Sequence, residues 1–192
     1  MDKIKTKIIF LGYNSKKTSL IKFLKKKKFK VISCNQKNID DIKLNFSDTI
    51  ISFGYKKILS KNLLKKLNFP PINLHMSYLP YNRGSHPNFW SFIDKTPKGV
   101  TIHEIDDKID NGKIIFQKKF FFKINHKITF KYTYDYLFKE LEKLFKKNYK
   151  KILSRRYIGK KKKIKGSIHF KADLKKKVVW TKPIKKYIKL YR

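Results

Sequence analysis

The chain has 192 residues, enough for one domain with a substantial core, and its supply of aliphatic and aromatic side chains excludes a disordered chain. Fifty Lys and Arg against 13 Asp and Glu give a net charge of +37, which raises the question of an anionic partner. A single cysteine, Cys34, excludes an intrachain disulfide and a multi-cysteine metal site. The absence of a signal-like or membrane-length apolar run predicts a soluble, cytoplasmic protein with no membrane partner.

The first half alternates short β-rich runs with helical spacings, which predicts an α/β fold. Ile4–Leu11 is an apolar run of strand length ending at Gly12. Ser15–Lys28 is predicted as a helix capped by Asn14 or Ser15, with Leu20, Ile21 and Leu24 on one face. Phe29–Cys34 and Thr49–Phe53 read as strands, the latter stopped by Gly54. Ile58–Leu67 reads as a helix, because Leu59, Leu63, Leu64 and Leu67 recur at helical spacing. After Pro70-Pro71 comes a strand, Ile72–Met76, and then a loop rich in Pro, Asn and Gly, Ser77–Pro87. Asn88–Ile93 opens a short aromatic helix, and His86, Phe89 and Trp90 around its start are either packed there or a binding platform. Val100–Ile105 and Lys113–Phe122 are strands, and Phe130–Leu153 is a long amphipathic helix. From Arg155 onward the chain is Lys-rich with little periodicity, and a solvated, partly frayed tail is expected. The expected whole is a Rossmann-like, mainly parallel twisted sheet of six or seven strands flanked by helices. Without a Gly-x-Gly-x-x-Gly turn, NAD binding is not expected.

Two segments stand out from the lysine background. Asn73 and His75 are two apart in a strand, so they share a face, close to the end where open parallel sheets bind ligands. An amide beside an imidazole suits acyl transfer, one group holding a developing oxyanion while the other handles a proton. Further on, five of the 13 acidic residues fall between Asp94 and Asp110. Asp110 precedes Asn111-Gly112, a turn signal that presents a carboxylate at a loop tip. Spacing alone does not bring Asp110 to His75.

Together these segments resemble the folate-dependent formyltransferase family, which acts on glycinamide ribonucleotide, methionyl-tRNA or nucleotide amino sugars. The resemblance rests on Asn73-Leu74-His75, Ser77-Tyr78-Leu79-Pro80, Arg83-Gly84, the Gly99–His103 strand and Asp110-Asn111-Gly112, in that order. It implies catalytic roles for Asn73, His75 and Asp110, with Ser77, Arg83, Gly84 and His103 as supports. It also implies N10-formyltetrahydrofolate as formyl donor, gripped by Tyr55, Lys56, Lys57, Ile58, Leu59 and Asp106, and no metal. The catalytic domain would then be residues 1–154 and the Lys-rich extension 155–192. Asn111 stands where such enzymes usually have Thr.

The family leaves the acceptor open. Tyr78–Gly84 and Pro87–Ile93 look more like short members that modify surface sugars, so a nucleotide-linked amino sugar is the expected acceptor. Methionyl-tRNA comes second, although 192 residues leave little room for the C-terminal domain of tRNA-acting members. A purine-pathway ribonucleotide comes third, and a non-catalytic relative that binds folate or RNA is the other class. The charge does not decide between them. Only Arg83, Arg155, Arg156 and Arg192 are arginines and Ala172 is the sole alanine, a pattern that A/T-rich coding drift produces. A surface selected for phosphate would favour the bidentate guanidinium.

Overall fold

A computed structural model describes residues 7–39, 42–45, 47–174 and 177–191; Ile4, at the start of the first predicted strand, lies outside them. In chain order the elements are β1 (Ile8–Gly12), α1 (Leu20–Lys26), β2 (Val31–Asn35), β3 (Thr49–Phe53), α2 (Lys61–Lys66), β4 (Ile72–His75) and β5 (Arg83–Gly84). Then follow α3 (Pro87–Ile93), β6 (Lys98–Glu104), β7 (Ile114–Phe120), α4 (Phe130–Leu153), β8 (Ile168–His169) and α5 (Ile184–Leu190). The main sheet has six strands in the order β2-β1-β3-β4-β6-β7. β2, β1, β3 and β4 are parallel, whereas β6 is antiparallel to both β4 and β7.

Every residue of β1 and β3 is buried, as expected of parallel strands covered on both faces. On one face, Leu137, Leu141, Phe145 and Ile152 of α4 join Leu20, Ile21 and Leu24 of α1 over Ile8, Phe10, Ile51 and Val100. On the other, Ile9, Leu11 and Ile50 pack with Cys34, Ile39 and Leu59. Each such side chain contributes about 1.5–3 kcal/mol when fully buried, so these two layers hold the sheet rigid where the site is built.

The first two helices are shorter than their apolar spacing predicts. Residues 15–17 form a turn in which Asn14 Oδ1 accepts the Lys16 and Lys17 amides. α1 begins at Leu20 because Glu142 of α4 reaches its start. Glu142 Oε1 accepts from Thr18 Oγ1 at 2.6 Å and from the Ser19 amide at 2.8 Å, and Oε2 accepts from Ser19 Oγ at 2.8 Å. A carboxylate there satisfies donors that the helix leaves open. α2 begins at Lys61, since Ser60 caps it by accepting the Leu63 amide, which leaves Ile58 in an exposed approach segment.

The tail expectation is overturned. β8 pairs in parallel with β5 in a second, two-stranded sheet, and Lys160 bridges to Ile114. Val178, Ile184 and Tyr187 are buried against Phe89, Trp90 and Phe92 of α3 and Phe130 of α4, forming a separate core. These apolar residues are scattered among lysines without a period, so only their distant partners reveal their role.

Candidate active site

β4 lies at the seam between the parallel and antiparallel halves of the sheet, and the site grows from that seam. Antiparallel pairing sets Asn73 directly opposite His103 and His75 opposite Thr101. His103 is fully enclosed, and its Nδ1 lies 2.7 Å from the Glu104 carbonyl. A carbonyl can only accept, so Nδ1 donates there, and Nε2 faces Asn73 and Asp110. Asn73 Nδ2 donates to that Nε2 at 3.1 Å and to Asp110 Oδ1 at 3.0 Å, so both amide hydrogens are engaged.

Asp110 arrives from the β6–β7 turn, 37 residues after Asn73 in the chain. Its backbone is left-handed, with φ 45°, a conformation that Asp tolerates better than most residues. Gly112 follows where a Cβ would collide with the Glu104 carbonyl, which keeps the turn tight against β6. The other carboxylate oxygen, Oδ2, accepts the Gly84 amide at 2.8 Å and lies 3.5 Å from His75 Nδ1. Its Oδ1 lies 3.5 Å from His103 Nε2.

Burial of Asp110 pushes its carboxyl upward, but the neighbouring imidazoles and the Gly84 amide outweigh it and hold the group well below the usual carboxylate range. For His75, burial is the largest influence and lowers its pKa below 6.5, while Asp110 opposes and His103 assists that shift. His75 Nε2 donates to the Asn82 carbonyl at 3.2 Å. An ionised carboxylate thus faces a neutral imidazole across 3.5 Å, an arrangement able to accept a proton and to orient a nucleophile.

The remaining predicted residues surround the trio of Asn73, His75 and Asp110. Arg83 Nη1 donates to Asn111 Oδ1 at 3.2 Å, and Asn111 Nδ2 reaches Asp106 Oδ2 at 3.3 Å, so this Asn ties two loops together. Asp106 also pairs with Lys161 at 3.4 Å. Ser77 is buried and bonds to the Tyr81 carbonyl at 2.9 Å, supporting the loop rather than the trio. Tyr55–Leu59 follow β3 at the carboxyl end of the parallel strands: the Tyr55 hydroxyl donates to the Lys37 carbonyl and the Lys56 amide to Gln36 Oε1. Within this segment Leu59 is buried, while Ile58 is 79% exposed and Lys57 is exposed as well. Among the described residues no set of three or more His, Cys, Asp or Glu side chains is arranged to hold a metal, and no helix is long and apolar enough to cross a membrane.

Asn82 carries a role that its place in a turn-rich loop does not announce. Fully buried with φ 55°, it donates from Nδ2 to Thr96 Oγ1 at 2.7 Å and receives the Ser167 hydroxyl at Oδ1. These bonds fix the carbonyl that receives His75. The only sequence signal is an Asn beside Arg-Gly, which marks a turn but not its direction.

Known formyltransferases are similar to this chain in fold and in part of their sequence. The formyltransferase PseJ from Anoxybacillus kamchatkensis, crystallised with UDP-4,6-dideoxy-4-formamido-L-AltNAc and tetrahydrofolate, is 35% identical and superposes with a TM-score of 0.86 over 97% of this chain and 100% of its own. A dTDP-4-amino-4,6-dideoxyglucose formyltransferase of Mycobacterium bovis is 42% identical over 72 residues, 38% of this chain and 30% of that protein. A methionyl-tRNA formyltransferase of Listeria welshimeri is 38% identical over 74 residues, 38% of this chain and 24% of that protein. The alignments thus span less than a third of these two curated relatives. The sequence profile described as formyl transferase matches residues 5–152, which takes in β1 through most of α4 and every residue of the trio. The chain belongs to the formyl transferase family.

Proposed function

We propose that the protein transfers the formyl group of N10-formyltetrahydrofolate to the primary amine of a nucleotide-linked amino sugar. The observation that carries this reading is the convergence of Asn73, His75, His103 and the Gly84 amide on one ionised carboxylate, Asp110. The acceptor class is supported by the likeness to PseJ along nearly the full length of both chains.

The donor supplies an activated formyl carbon bonded to N10. The acceptor amine attacks that carbon, the bond to N10 breaks, and tetrahydrofolate leaves with a proton on N10. Asp110, held ionised, takes the proton that the amine loses, and that proton passes on to N10 as the bond to the formyl carbon breaks. Asn73, whose amide already donates to Asp110, holds the carbonyl oxygen as it gains charge. As Asp110 becomes protonated its hold on that amide hydrogen weakens, so the hydrogen is released to the oxyanion as the oxyanion forms. His75, neutral and fixed by Asn82, keeps the face polar without adding a competing positive charge. The approach segment fits the donor: exposed Ile58 beside buried Leu59 offers an apolar surface for a planar ring. Lys56 and Lys57 suit the anionic tail of a folate, and Asp106, in the loop before Asp110, suits the polar edge of the ring.

The test is release of tetrahydrofolate from N10-formyltetrahydrofolate in the presence of UDP- or dTDP-linked amino sugars, charged initiator tRNA, or glycinamide ribonucleotide. Turnover with a nucleotide sugar is expected. Turnover with tRNA alone would replace the acceptor, and no turnover by folded, folate-binding protein would overturn the reading.

A further inference from the structure

The profile that defines the family ends at residue 152, yet the carboxylate at the centre of the site is held from beyond that point. β5 has two residues, too few to keep its own conformation. Its amides alternate in direction as in any strand. The Arg83 amide donates to the Ser167 carbonyl at 3.0 Å and the Ser85 amide to the His169 carbonyl at 2.8 Å. The Gly84 amide between them points the opposite way and donates to Asp110 Oδ2 at 2.8 Å. Only glycine fits there, because φ is 83° and a Cβ would collide with the His169 carbonyl. β8 therefore dictates where the Gly84 hydrogen goes.

β8 has two residues as well, so its own position needs an anchor outside the ladder. The His169 imidazole stacks on Trp90 with centroids 4.1 Å apart and planes 5° apart, and its Nε2 lies 2.7 Å from Asp94 Oδ2. Both partners sit on or at the end of α3, which is packed into the second core. Ser167 adds a second tie, accepting the Asn82 amide at 2.9 Å and donating to Asn82 Oδ1 at 3.2 Å. The chain of contacts runs from α3 through His169 and β8 to β5, and ends on the carboxylate.

We propose that His169 is a positioning residue for Asp110, acting through β8 and the Gly84 amide, and that the C-terminal segment is thereby part of the working site. The proposal rests on the functional reading only for its kinetic arm. The test uses the full chain with His169→Ala and His169→Gln, the second able to keep a donor toward Asp94. In His169→Ala the exchange rate of the Gly84 amide hydrogen, followed by NMR, should rise by about tenfold, as expected when a charge-assisted bond is loosened. kcat for formyl transfer from N10-formyltetrahydrofolate should fall by about tenfold while KM for the donor stays within about threefold, the signature of a transition-state defect. His169→Gln should recover most of both. If His169→Ala does not fold, Asp94→Asn weakens the same anchor without a cavity and should move both readouts in the same direction by a few-fold. Gly84 exchange and kcat unchanged in a folded variant would overturn the proposal. The exchange arm needs no turnover, so a protein that transfers no formyl group would sink the functional reading and leave this test standing.

Discussion

Asp110 and His75 are both moved downward from their ordinary pKa values, for opposite reasons. Asp110 is held ionised by its donors against burial, whereas His75 is held neutral mainly by burial. Because the folded-state pKa of His75 lies below that of the unfolded chain, the unfolded state binds more protons between the two values. Stability therefore rises with pH across that window and levels off above 6.5. The depressed Asp110 acts in the same direction at lower pH, its contribution being full above the ordinary carboxylate range and lost as pH falls toward the folded value. Urea midpoints should drop between pH 7 and pH 5, and the drop should shrink in His75→Gln. Asp110→Asn keeps the shape but cannot take a proton, so kcat should fall by about 10²–10⁴ with the circular dichroism spectrum unchanged. Unaltered turnover in that variant, or in His75→Ala, would remove these residues from the chemistry.

Among the elements, the most exacting join is β5 against β8. Gly84→Ala should cost about 1–3 kcal/mol from the left-handed backbone alone, before the clash with the His169 carbonyl, and should lower Tm and kcat together. The cap on α1 is the other long-range join. Glu142→Ala leaves the buried Thr18 hydroxyl and the Ser19 amide without their acceptor, and should destabilise by about 1–3 kcal/mol in urea denaturation. That cap also explains why the start of α1 was not legible in the sequence. Asn14 and Ser15 are good capping residue types, but the carboxylate that decides the matter lies more than 120 residues away. By contrast, the shared face of Asn73 and His75 was legible from strand alternation, whereas His103 came from the family resemblance and reaches that face through the β4–β6 register. The meeting of Asp110 with them was not, because it depends on a left-handed turn and on one amide whose direction is set by β8. The family resemblance supplied Asp110 where spacing fell silent.

Across the molecule, the chain has two cores of different origin. The sheet core is built from periodic segments and was readable; the second combines the aromatic face of α3 with apolar residues spaced irregularly between lysines. Removing residues 155–191 would strip Val178, Ile184 and Tyr187 from that second core, a loss of roughly 5–9 kcal/mol at about 1.5–3 kcal/mol each. Such a truncated chain should fail to give a cooperative melting transition. The charge makes a separate prediction. A +37 chain will bind any polyanion at low ionic strength, and that affinity should collapse steeply with added salt, whatever the sequence of the polyanion. Formyl transfer to a compact nucleotide sugar should depend on salt far more weakly, and comparing the two slopes separates selected recognition from compositional attraction.

Both tryptophans of the chain touch the second core, Trp90 from within and the more exposed Trp180 from its edge. Trp90 lies within it, stacked on His169, and Trp180 packs on His86, Phe89 and Phe130. Tryptophan emission is therefore a local probe, blind to the sheet, while far-ultraviolet circular dichroism weighs every helix and strand. Recorded on one sample, the two signals will trace a single curve only if the cores melt as one cooperative unit. An emission change that runs ahead of the dichroism would mean that the anchor behind β8 loosens while the main sheet is still folded.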